Sequence, residues 1–381
     1  MKTRRFLITG ISLLVLILAS AGISNSLSDK TPPEVIIDVP EEVAAGLAFD
    51  LDMFANEPVT YHVKYAGLEL TEVAQNYTLS LLASEGAQVL DITAIDGAKN
   101  YSQYSFVVYG IPSIKPEVGV SETLIPGEAY SVQVSWQDSS PQPESIAINI
   151  AGETQPLFVS NGNTFALNSV PLGSPPQTIP VQVVLGDGYA RTVTINKSVQ
   201  IIDDERVVEE LNLSPETLSV VSDEGRERER QALNEAYSLA LERPYPLWKQ
   251  PFLLPLEGRF TSGFGLPRRY YAGGNISYHN GTDIAAPTGT PIFATNDGKV
   301  LIANFYPIKG GLVVIDHGAS VYSFYFHQSK LYVQEGDLDS RGQSIGEVGS
   351  TGLSTGPHLH WEIRVNGVAT NPMSWVGKVL P

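Results

Sequence analysis

From Val35 to about Gly110, apolar and polar residues alternate in short runs, "EVIIDV", "VTYHVKYAG", "VLDITAID" and "QYSFVVYG", broken by Gly, Pro, Asn and Asp. Alternation of this kind gives a strand one buried and one solvated face, and the regular turn residues space the strands as in a two-layer β-sandwich. The pattern recurs from Ile111 to about Asp203 in "YSVQVSW", "SIAINIAG", "TIPVQVVLGDG" and "RTVTINKSVQII", which predicts a second sandwich of similar size. Between Asp203 and Pro244 the pattern changes. "SDEGRERERQALNEAYSLALER" has Ser222 placed as an N-cap, acidic residues in the first turn and Pro244 as a stop, so a helix is expected there. Its "RERER" run reads as a solvated helix face, and the segment as a spacer. With 34 Gly and 26 Pro among 381 residues and few long helical patterns, short strands and turns should dominate the rest. The expected organisation is mainly β: sandwiches at 33–110 and 111–203, a helical linker at 204–250, and a C-terminal domain at 251–381.

The N-terminus carries an address. Lys2, Arg4 and Arg5 precede "FLITGISLLVLILASAGI", an uncharged apolar run that fits a signal peptide or a single membrane anchor within residues 1–32. Ala19-Ser20-Ala21 suits cleavage, yet the run is just long enough to span a bilayer, so both forms stay open. Either places the protein outside the cytoplasm, whether secreted, periplasmic or anchored. The chain has no cysteine, which excludes disulfides, thiolate metal sites, a Cys nucleophile and a lipoprotein anchor. Its 41 acidic against 24 basic residues give a net charge of −17 and argue against nucleic acid as a partner. From Pro251 onward nine basic residues balance nine acidic ones, so the whole excess lies in residues 1–250. The C-terminal third is compositionally a separate unit.

That third holds five of the six histidines. "SYHNGTDIAAPTGTP" contributes His279 and Asp283, "VIDHGASVYSFYFHQSKL" contributes His317 and His327, and "GPHLHWEI" contributes His358 and His360. In "HLHWEIRV" the strand period of two turns Leu359, Trp361, Ile363 and Val365 to one face and His358, His360, Glu362 and Arg364 to the other. A core strand does not gather two imidazoles, a carboxylate and a guanidinium on one face unless that face lines a site. A catalytic zinc site takes three protein ligands and leaves one position open; His279, Asp283 and one of the paired histidines supply such a set. Oxygen-only Mg²⁺ or Ca²⁺ sites have no use for the histidines, so Zn²⁺ is the expected cofactor. Such a metal lowers the pKa of its water to roughly 7, and the remaining histidines are left for proton transfer. His62 stands alone in sequence and reads as an ordinary strand residue.

Taken together, "GRFTSGFG", "YHNGTDIAAPTGTPIFATNDGKV", "GGLVVIDHG", "YFHQSKLYVQEGD", "GQSIGEVGSTGLSTGPHLHWEIRVNG" and "NPMSW" resemble the lysostaphin/LytM-type zinc metallopeptidases that cut peptidoglycan peptides. The resemblance runs from about Leu256 to Trp375. It implies a C-terminal antiparallel β-sheet metallopeptidase domain with zinc on His279, Asp283 and His360. It also implies that His327 and His358 act on the substrate, with the division of base and oxyanion roles between them open. "ITAIDGAKNYSQYSFVVYG" resembles the closing hairpin of bacterial immunoglobulin-like domains, so the two sandwiches are expected to be immunoglobulin-like.

His317 falls outside the ligand set that the resemblance implies and is expected to be structural. "GLSTG" at 352–356 matches a nucleophile elbow in spelling only, because a strand should precede it and a helix follow, whereas Pro357 and a histidine strand follow here. Ser354 is expected to be a turn residue. Gln328 replaces the leucine common in the family, and Tyr270, Tyr271 and Tyr278 are candidates for lining the cleft, with loop packing as the alternative. The expected function is an exported zinc endopeptidase acting on peptidoglycan stem peptides or cross-bridges. The rival is a non-hydrolytic or gated regulator of the same fold, which typically lacks part of the metal set.

Overall fold

The computed structural model describes residues 30–137, 141–212, 222–240 and 245–378. The N-terminal apolar run lies outside them, and no described helix is long and apolar enough to cross a membrane. The protein is mainly β, as the alternating pattern predicts. It divides into two compact units: one built on residues up to Lys115 together with 136–145 and 186–192, the other on 116–135, 146–185 and 193 onward.

In the first unit the strands pair as one six-stranded sheet. The cause is the 18-residue strand Ala48–Tyr65. Its first half pairs with Val35–Asp38 and its second half with Gly86–Ile95, and its register against Leu68–Leu82 breaks between Phe54 and Val59. One strand thereby serves both halves of the sheet. Side chains on either side of the break, Leu51 and Met53 before it and Val59, Tyr61 and Val63 after it, share one buried cluster.

In the second unit, the strands between Pro116 and Ile201 form a five-stranded and a four-stranded sheet. Phe158, Phe165 and Leu167 of the four-stranded sheet join the buried cluster of the C-terminal domain. Asn366 Nδ2 donates to Leu167 O at 3.0 Å, and the amide of Asn371 donates to Gly127 O at 3.0 Å. The C-terminal domain is an eight-stranded sheet in the order Arg259–Ser262, Thr282–Ala285, His358–Val365, Val321–Gln328, Gly310–Asp316, Gly298–Tyr306 and Leu338–Asp339, with Val368–Thr370 also paired to His358–Val365. One face of it buries Leu359, Trp361, Ile363, Val365, Val313 and Ile315 against Ile292 and Ile345 of a three-stranded sheet and against Val348 just beyond it. Fully burying each such side chain contributes about 1.5–3 kcal/mol, which anchors the strands that carry the polar residues of the opposite face.

That opposite face is covered over part of its extent by the helix Asp223–Ala240. Ser222 caps it as expected, its Oγ accepting the amide of Gly225 at 3.0 Å. The helix is no free spacer: Ala236, Ala232, Leu233 and Tyr237 pack on Ile302, Leu312, Val314, Tyr322, Phe324 and Phe326. The reading of "RERER" as wholly solvated also fails at one position, because Glu229 is 3% exposed.

Candidate metal centre and active site

Where the helix ends its cover, the same sheet face opens into a cleft of about 310 Å³. Antiparallel register sets Asp283 opposite His360 and Phe326 opposite His360 on its other side, so three adjacent strands bring these side chains together. His279 arrives from the turn before Thr282–Ala285, fixed by mutual backbone hydrogen bonds with the 265–266 loop: its amide donates to Leu266 O at 2.9 Å and its carbonyl accepts from Gly265 at 2.7 Å. Gly281 between the two ligand candidates has to be glycine. A Cβ there would stand 2.5 Å from Trp361 O and 2.7 Å from His360 Nε2.

His279 Nε2, His360 Nδ1 and Asp283 Oδ1 converge. They lie 3.0 Å (His279 to Asp283), 3.0 Å (His279 to His360) and 2.8 Å (His360 to Asp283) apart. Which nitrogen of each ring faces the centre is set by a partner behind it. His279 Nδ1 donates to Gly263 O at 2.7 Å and His360 Nε2 donates to Glu362 Oε1 at 2.9 Å. Both rings therefore aim an unprotonated lone pair at Asp283 when neutral, and three acceptor atoms facing one another are satisfied by a shared cation. The donor set of two imidazole nitrogens and one carboxylate oxygen fits a metal ion of the zinc kind.

The electrostatics of the metal-free centre agree. Burial opposes the charged form of Asp283, but its contacts with His279 and His360 outweigh it and hold the carboxyl well below its usual range. Burial likewise lowers His279. For His360, burial is outweighed by its hydrogen bonds to Asp283 and Glu362, which raise it to about 9. Glu362 is held down at about 2, against burial, by the charge of Arg364 and the bond to His360. A cation binding here takes the place of a proton.

His327 and His358 face the same cleft, their rings 4.7 Å apart. His327 Nδ1 donates to Thr351 O at 2.8 Å and His358 Nδ1 donates to Gly356 O at 2.7 Å, so each presents Nε2 to the cleft. Burial and the adjacent His360 and His358 push His327 down to about 3. Its backbone has φ of 62°, a left-handed conformation uncommon for a residue with a side chain. Gly349 permits this packing, since a Cβ there would meet His327 O at 2.7 Å.

All five residues singled out in sequence thus come together. His317 does not join them: it is fully buried, with Nδ1 bonded to Asp297 O at 2.7 Å and Nε2 to Ser323 Oγ at 2.8 Å. Ser354 sits in a turn, its Oγ bonded to Gly356 O at 2.9 Å. Tyr270 and Tyr278 line the cleft, whereas Tyr271 is exposed outside its lining. Gln328 is buried and donates to Tyr325 O at 3.1 Å, away from the cleft. Sequence reasoning missed three supports. Arg268 reaches Asp283 Oδ2 at 3.3 Å, Glu362 orients His360, and Arg364 Nε holds Glu362 at 2.7 Å while lying 4.5 Å over the ring of Phe324. The strand period had already put Glu362 and Arg364 on the histidine face, which was the available signal.

The segment that holds this site is similar to known proteins. The family described as Peptidase family M23 matches residues 277–372. Peptidoglycan DD-endopeptidase ShyA of Vibrio cholerae is 44% identical over 124 residues, 32% of this chain and 29% of ShyA. ShyB of the same organism is 41% identical over 115 residues, 30% of this chain and 27% of ShyB. The chain therefore spans less than a third of the length of these curated relatives. Among solved structures, the catalytic domain of lysostaphin from Staphylococcus simulans is 32% identical, with 31% of this chain and 90% of that one covered and a TM-score of 0.28. The five residues assembled on one sheet face all lie inside the segment, 277–372, that is similar to peptidase family M23.

Proposed function

We propose that the chain is an exported zinc metalloendopeptidase that hydrolyses peptide bonds in peptidoglycan stem peptides or cross-bridges. The observation that carries this reading is the convergence of His279 Nε2, Asp283 Oδ1 and His360 Nδ1 on one point of a cleft into which His327 and His358 also turn. The relatives named as peptidoglycan DD-endopeptidases support the substrate class, and the basic and apolar N-terminus supports export.

Zinc held by these three residues would polarise the scissile carbonyl and acidify the attacking water. The chain's own groups do the rest. His327 and His358 each keep Nδ1 occupied by a backbone carbonyl, so Nε2 is the atom that exchanges protons. One ring accepts the proton of water, and the other donates to the oxyanion or the leaving amine. Tyr270 and Tyr278 border the cleft where an extended peptide would lie.

The test is digestion of purified peptidoglycan by the full chain, with mass spectrometry of the released peptides. New amine ends that vanish with Asp283→Ala and with chelator are expected, and they identify the bond. Stoichiometric zinc without cleavage on several walls would overturn the endopeptidase reading and favour a regulator of another hydrolase.

A further inference from the structure

The helix Asp223–Ala240 precedes the segment matched by the peptidase family, yet one of its side chains grips the rim of the cleft. Its neighbours Glu227 and Arg230 pair with each other in solvent. Glu229 instead turns inward. Its Oε1 accepts the amides of Ile308 at 2.8 Å and Lys309 at 3.1 Å, and its Oε2 accepts Lys309 Nζ at 2.7 Å. A buried carboxylate is tolerated only when its lone pairs are filled, and all these donors belong to two consecutive residues of one turn.

That turn holds a catalytic candidate by its backbone. Lys309 O accepts the amide of His327 at 2.9 Å, and Ile308 O accepts the amide of Leu353 at 2.8 Å, two residues beyond the carbonyl that fixes the His327 ring. The left-handed φ of His327 costs energy and persists only where the surroundings over-determine it. We propose that Glu229 is a positioning residue: by locking the turn at Ile308 and Lys309 it holds the His327 backbone in the conformation that aims Nε2 into the cleft. The catalytic consequence rests on the peptidase reading; the link from Glu229 to His327 is measurable without it.

The experiment uses the full chain, zinc-loaded, as wild type, Glu229→Ala and Glu229→Gln. Amide hydrogen exchange across the C-terminal domain is followed alongside kcat and KM on a soluble peptidoglycan fragment. Glu229→Ala is expected to speed exchange at the His327 amide by about tenfold or more, while the amides of the core strand Gly310–Asp316 stay protected. It should also lower kcat by about tenfold with little change in KM, because a small misplacement of a catalytic group acts on the chemical step. Glu229→Gln keeps an oxygen acceptor for the two amides and should recover most of both effects; it also serves if the alanine variant folds poorly. Unchanged exchange at His327, or exchange rising equally throughout the sheet, would overturn the proposal. So would an unchanged kcat with an active wild type. An inactive wild type would overturn the peptidase reading alone, leaving the exchange data to decide the link.

Discussion

His317 directly follows the strand Gly310–Asp316 and His327 lies on the neighbouring strand Val321–Gln328; both are buried and their rings are held in a similar way. Each occupies Nδ1 with a backbone carbonyl, Asp297 O or Thr351 O, and burial lowers each, to about 4 and about 3. They part at Nε2. That of His317 meets Ser323 Oγ at 2.8 Å, within a buried chain of hydroxyls that continues to Tyr325 and Thr295. That of His327 opens on the cleft shared with His358 and His360. Burial and a depressed pKa therefore do not separate the two histidines; what the second nitrogen meets does.

Several variants sharpen or break this contrast, beginning with the largest effect. Asp283→Ala removes the carboxylate on which the two ligand imidazoles converge and should lower peptide hydrolysis by more than about 10³-fold, measured on peptidoglycan fragments, with zinc lost on dialysis. His327→Ala should lower kcat by about 10²–10⁴-fold with the unfolding midpoint nearly unchanged. His317→Ala should do the reverse. It removes the imidazole partner of Asp297 O, takes one of the hydrogen bonds of Ser323 and opens a cavity, costing about 2–4 kcal/mol in urea unfolding while kcat per folded molecule stays near wild type. If His317→Ala silenced catalysis at full stability, the contrast would be wrong.

Smaller effects test the groups behind the ligands. Glu362→Ala should weaken zinc binding by about 10–100-fold in chelator competition, since the ring of His360 loses the acceptor that fixes its tautomer. The pH dependence has a definite sign. In the metal-free protein His360 is raised to about 9 from 6.5, so its protonated form contributes stability that is fully present below about 6.5 and lost as pH rises through about 9. Zinc must displace that proton, so its affinity should rise by about tenfold per pH unit between roughly 7 and 9 and level off above. Affinity independent of pH across that window would mean that zinc displaces no proton from His360 there.

Much of this was legible in sequence because the key strand is regular. His358, His360, Glu362 and Arg364 share a face by the period of two alone, and their core-facing partners were recognisable as apolar. Ser222 was readable as a cap because capping is a local interaction. What escaped depends on contacts distant in the chain. Glu229 looks no different from its charged neighbours until the turn at Ile308 and Lys309, about 80 residues on, supplies its donors. Nor did local alternation foretell that Ala48–Tyr65 would break register and join two halves into one sheet, or that Phe158 and Phe165 would enter the core of the C-terminal domain. Pattern gives the face of a strand, while partners at long range decide what that face meets.

The most direct measurement is titration of the metal-free full chain with zinc, with metal content and peptidoglycan-fragment hydrolysis followed in the same samples. One zinc per chain is predicted, with activity rising in step and both lost in Asp283→Ala. Hydrolysis by the metal-free chain, or one tightly held zinc in Asp283→Ala, would contradict the assignment of the centre to His279, Asp283 and His360.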